Sequence, residues 1–89
     1  MMNLELLEIA KDYTNYMNEV NNNCFTELEK LDSIYTMYQQ LEYYLQSGDK
    51  CTINEYIETA ECEKDNSIHC GLKVDDSINN FLSWVSDNE

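Results

Sequence analysis

The chain has 89 residues, enough for one domain, and 43% of them are hydrophobic, enough for a core. It has no proline and only two glycines, Gly48 and Gly71, so it lacks the frequent turn residues that sandwiches, propellers and collagen-like repeats need. Eighteen acidic residues face five basic ones, all lysine, and the net charge of −13 excludes direct binding to nucleic acid and to anionic lipid, both of which repel it.

In residues 4–20, Leu6, Ile9, Ala10, Tyr13, Tyr16, Met17 and Val20 recur at spacings of three and four, one apolar helical face, and Glu5, Glu8, Asp12, Asn15 and Glu19 fill the other side. Asn3 is the expected N-cap. Asn21-Asn22-Asn23 is the expected stop, because asparagine competes for backbone hydrogen bonds and tolerates left-handed backbone. A second helix opens on the capping box Thr26-Glu27-Leu28-Glu29 and ends at Ser47-Gly48, with Leu28, Leu31, Ile34, Tyr35, Tyr38, Leu41 and Leu45 expected inward. A third opens on Thr52-Ile53-Asn54-Glu55, also read as a capping box. It places Ile53, Tyr56, Ile57 and Ala60 on one face, and fades around Lys64 into a loop over 65–71. The last is capped near Asp75 or Asp76 and turns Ile78, Phe81, Leu82 and Val85 inward with Trp84 beside them, although its Asn79-Asn80 pair has poor helix propensity. No segment alternates convincingly with period two. The expected fold is all-α, a compact bundle of about four helices forming a single helical domain over residues 1–89, roughly two-thirds helical.

The opening MMNLELLEIAKDY has Glu5 and Glu8 where an export signal needs an unbroken apolar run of about 7–15 residues, and no stretch approaches the ~20 apolar residues of a membrane span. The expected location is therefore cytoplasmic. There Cys24, Cys51, Cys62 and Cys70 are expected as free thiols, with Cys62 and Cys70 the pair most prone to oxidise.

Candidate chemistry is sparse. The one histidine, His69, adjoins Cys70, but neighbours in a loop make a poor nucleophile–base pair. Cys51, Cys62, His69 and Cys70 offer zinc ligands at spacings that match no finger or ribbon. The stretch beginning Asp65-Asn66-Ser67 fails as a calcium loop, with Cys70 at the sixth position and Asp76 at the twelfth. The expectation is a protein without catalytic residue, metal or cofactor.

The charge is the informative feature. Residues 1–20 carry −3, 21–47 carry −3, 55–65 carry −4 and 66–89 carry −3, so the acid is spread over all four helices instead of forming a tail. A solvated face explains any one segment. It does not explain thirteen unbalanced charges, whose mutual repulsion costs stability. The third helix is densest in acid, and Glu55, Glu58, Glu61 and Glu63 are the expected contacts to a basic partner. Tyr43 and Tyr44 point about 100° apart on their helix, so at least one faces outward, and these two with Trp84 are the expected aromatic anchors.

A small, strongly acidic helical chain without catalytic residues resembles the immunity proteins that neutralise nuclease bacteriocins and contact-dependent growth inhibition toxins. The resemblance lies in size, charge and helical character along the whole chain, with no motif. It implies an inhibitor that binds a basic nuclease domain, blocks its nucleic-acid-binding face and performs no reaction. The same features are similar to phage-encoded anti-CRISPR and anti-restriction proteins that imitate DNA. An adaptor docking on a basic partner that is not a nuclease is the third possibility.

Overall fold

The computed structural model describes residues 2–89. Helix α1, Leu4–Val20, starts at Asn3, whose Oδ1 accepts from the backbone N–H groups of Glu5 at 3.1 Å and Leu6 at 3.3 Å. It ends in the asparagine run as the sequence predicts. Asn22 takes a left-handed conformation at φ 54°, and the Asn23 N–H returns to the Asn18 carbonyl. Helix α2, Glu27–Ser47, has both reciprocal bonds of its capping box, Glu29 N–H to Thr26 Oγ1 at 3.2 Å and Thr26 N–H to Glu29 Oε1 at 3.1 Å. Gly48 closes it at φ 73°, in the left-handed region where a side chain would be strained.

The third helix departs from the sequence reading at both ends. Lys50–Thr52 wind into a 3₁₀ turn capped by Asp49, whose Oδ1 accepts from the Cys51 N–H at 2.9 Å. Thr52 is therefore already inside a helical turn and cannot act as an N-cap, which needs extended backbone. Helix α3, Asn54–His69, begins after the fully buried Ile53 with no side-chain cap, so the predicted Thr52/Glu55 box does not form. Nor does the helix fade at Lys64. It continues to His69 and stops in a Schellman motif, with the Leu72 N–H on the Ser67 carbonyl at 2.8 Å and the Gly71 N–H on the Ile68 carbonyl at 3.0 Å. Gly71, at φ 72°, supplies the left-handed residue. Helix α4, Asp76–Asp87, forms despite Asn79-Asn80, because Asp75 accepts from both the N–H and the hydroxyl of Ser77 and its apolar face is deeply buried.

The chain is all-α, a four-helix bundle that is 78% helical, with no strand among the described residues. Helix α1 lies between α2 and α4, and α3 packs on α4. The amide of Asn3, at the start of α1, donates to the Tyr38 hydroxyl, while Met17 and Asn18 near its end lie beside Asp32 and Ser33 earlier in α2, so those two helices run antiparallel. The core joins Leu6, Ala10 and Tyr13 of α1 with Met37, Tyr38, Leu41 and Tyr44 of α2, Ile53 just before α3, Ala60 of α3, and Ile78, Phe81, Trp84 and Val85 of α4. Tyr13 is its junction, with its ring 5.0 Å from Phe81 and edge-on to Tyr56 at 5.8 Å. Its hydroxyl donates to the Tyr56 carbonyl at 3.0 Å.

Burial holds the Tyr13 phenol well above its ordinary range, burial and then Glu63 raise Tyr16, and burial raises Tyr56. The unfolded chain ionises these phenols near pH 10, and the folded chain ionises them only at higher pH. Their contribution is complete below that pH and is lost as pH rises. Urea denaturation at pH 8 and pH 10.5 is expected to show that loss, and Tyr13→Phe to flatten it while costing about 1 kcal/mol at neutral pH.

The inward face predicted for α2 is only half correct. Leu28, Leu31 and Tyr35 are 71%, 61% and 53% exposed, and Leu45 is exposed too, whereas Met37, Leu41 and Tyr44 are buried. All four cysteines are exposed and unbridged. Cys62 and Cys70 are separated by eight residues of helix, about 12 Å, beyond the ~7 Å between Cα atoms that a disulfide spans. This corrects their choice as the readiest pair. Peptide mass mapping after mild oxidation is expected to show no intramolecular Cys62–Cys70 bridge unless the protein is first unfolded.

Candidate functional site: an acidic groove between α1 and α4

The polar side of α1 is a narrow stripe. Glu5, Glu8, Asp12, Asn15 and Glu19 follow one another at intervals of three and four residues, which keeps them within a quarter turn of one another over about 21 Å of helix. The outer side of α4 repeats the pattern with Asp76, Asn80, Ser83 and Asp87. Because α4 packs beside α1, the two stripes become the walls of one groove. One half, of about 370 Å³, is lined by Glu5, Glu8, Asp12 and Asp87, with Ile9 and Trp84 also in its lining. The other, of about 360 Å³, is lined by Asp12, Glu19, Asp75 and Asp76 with Asn15 and Tyr16. Asp12, Ser77 and Asn80 belong to both halves, so the groove is continuous.

No lysine, histidine or cysteine lines it. Seven carboxylates therefore share the groove. Two have partners: Asp75 caps α4, and Asp76 lies 4.0 Å from the exposed Lys73 ammonium. Among the described residues the remaining five have no ion pair. What such a site offers is a row of acceptors for cationic side chains beside an indole and an isoleucine. Among the described residues no group of three or more metal-ligating side chains converges, and no helix is long and apolar enough to cross a membrane.

The predicted contacts are dispersed. Glu63 reaches the groove's end, where its Oε1 accepts from the Tyr16 hydroxyl at 3.1 Å. Glu55, Glu58 and Glu61 are exposed on α3, and Glu61 lines a separate shallow depression with Lys64, Asp65 and Leu82. Tyr43 is exposed on α2. Tyr44 is not a surface anchor: it is buried, packs edge-on to Trp84 at 5.8 Å, and donates its hydroxyl to the Asn88 carbonyl at 3.0 Å. Trp84 is likewise a core residue, only 6% exposed, although it lines the groove. Both corrections have one cause: α4 brings Trp84 against the end of α2, and covering two large rings outweighs leaving them wet.

The acid stripe of α1 was visible as that helix's polar side, and its 3-4 spacing was the available signal. Its partner wall on α4 was not. The chain matches no family model, no curated protein and no solved structure.

Proposed function

We propose that this protein is a stoichiometric inhibitor that binds a basic nuclease toxin domain and blocks its nucleic-acid-binding face, in the manner of an immunity protein. The observation that carries the reading is the continuous, lysine-free acidic groove between α1 and α4 in a chain of net charge −13. A nuclease presents lysine and arginine to phosphate, and a rigid row of carboxylates competes for the same groups. Charges fixed on two packed helices pre-organise that row, so little ordering is left to the moment of binding. Glu63 extends the row, and Glu55, Glu58 and Glu61 add long-range attraction from α3. The protein performs no reaction in this role and needs no cofactor.

The test is direct. The partner is recovered from the source cell by pull-down with the purified chain, the chain is titrated into it, and cleavage of RNA and of DNA is followed at several salt concentrations. Complete inhibition at one equivalent, weakening as salt rises, is expected. A partner without nuclease activity, or inhibition unchanged by neutralising the groove, would overturn the proposal.

A further inference from the structure

Helix α2 carries a second surface that the groove does not use and that joins the core only at the buried Tyr38. Leu28, Leu31, Tyr35, Tyr38, Glu42 and Leu45 succeed one another at intervals of three, four, three, four and three residues, the a and d positions of a heptad repeat. Within it Leu28, Leu31 and Tyr35 are all more than half exposed. Among the described residues α1 is the main helical neighbour of α2, and α4 meets it at Tyr44 near its C-terminal end, which leaves Leu28, Leu31 and Tyr35 exposed. Tyr35 is held in place by stacking on the buried Tyr38 ring, 6.3 Å away and 22° from parallel. Tyr38 is itself fixed by accepting from the Asn3 amide and donating to Glu42.

The flanks of the seam decide what fits it. In the heptad frame Glu27 occupies g and Asp32 occupies e, both exposed, and Glu42 stands in the seam itself. The helix's one lysine, Lys30, lies at c and turns back to Glu27 at 3.6 Å. A second copy of this chain is disfavoured by charge: a parallel pair sets Glu27 against Asp32, an antiparallel pair centred on the seam sets Asp32 against Asp32, and each copy carries −13. The three exposed seam residues also span only about 10 Å of helix, well short of the roughly 800 Å² per partner of a stable interface. Flanking charge must therefore contribute.

We infer that the Leu28–Leu31–Tyr35 seam of α2 docks an amphipathic helix whose own apolar seam is flanked by lysine or arginine, a segment of the basic partner distinct from the part that enters the groove. The inference rests on the reading of this chain as a binder of a basic protein and names a second contact on it. The seam supplies desolvated anchors, and Glu27, Asp32 and Glu42 select for basic flanks.

The probes are two synthetic helical peptides of three heptads with leucine at a and d, one with lysine at e and g, the other with glutamate there. They are titrated calorimetrically into the full chain at ~0.15 M salt, where the screening length is about 8 Å. The lysine peptide is expected to bind one to one, and the glutamate peptide not to bind. The variant Leu28→Ser/Leu31→Ser is expected to weaken the lysine peptide at least tenfold with an unchanged melting temperature, since both side chains are exposed. Three results overturn the inference: equal binding of the lysine peptide to the variant, equal binding of the two peptides, or a dimer of the free chain in sedimentation that the variant dissolves. No nuclease enters this assay, so its failure is separable from failure of the inhibitor reading, which the cleavage titration decides.

Discussion

Phe81→Ala is expected to lower stability by about 3–5 kcal/mol, the range for emptying a fully buried aromatic site. Phe81 has no exposed surface, and its ring lies against Tyr13, the residue that ties α1 to α3 and α4. At roughly 0.05–0.15 kcal/mol per residue, a chain of 89 residues has about 4–13 kcal/mol in total, so this single loss removes a large share of it. The melting temperature followed by circular dichroism should fall by 12 °C or more, at about 4–8 °C per kcal/mol for a domain of this size. Leu31→Ala is the informative comparison. Helical periodicity places Leu31 on an inward face just as it does Phe81, yet Leu31 is 61% exposed, so its truncation should stay within about 0.5 kcal/mol. Equal losses for the two variants would mean that the first half of α2 is covered and that no free seam exists.

The triple substitution Glu8→Gln/Asp12→Asn/Asp87→Asn is expected to slow association with the basic nuclease domain tenfold or more at low salt, with little change in dissociation rate. Steering depends on the field of the whole groove, and these three carboxylates face one another in its first half with no lysine among them. The same substitutions should raise the melting temperature at low salt, because they remove repulsion that nothing in the groove offsets. That gain should shrink toward ~0.15 M salt, where the screening length falls to about 8 Å. Glu55→Gln/Glu58→Gln/Glu61→Gln changes the net charge by the same amount on α3 and serves as the control. If both triples slow association equally, the groove has no special role and only total charge matters. If the groove triple leaves both rate and melting temperature unchanged, the inhibitor reading loses its physical basis.

The helices themselves were legible because their signals are local. Asn3, the Thr26/Glu29 box, Gly48 and Asp75 satisfy orphan backbone groups within a few residues of themselves. The start of α3 misled for a local reason too. Asp49 captured the Cys51 amide and wound a 3₁₀ turn through Thr52, an alternative that the Thr52-x-x-Glu55 pattern does not reveal. Its end misled because Asp65-Asn66-Ser67 propagates a helix poorly alone, while burial of Ser67 and the Gly71 stop hold it in place.

By itself the sequence determined that this is an all-α chain with a large unbalanced acidic charge, and that α1 carries its acid as a stripe at helical spacing. The tertiary structure alone decided which surfaces exist. It buried Tyr44 and Trp84 against each other and left Leu28, Leu31 and Tyr35 uncovered on α2. It also set the acidic stripe of α1 beside Asp76 and Asp87 of α4 to make a groove. The reason is physical. A hydrophobic or charged period reports direction about a helix's own axis. Whether a neighbour lies in that direction depends on contacts between residues tens of positions apart, which no periodicity encodes.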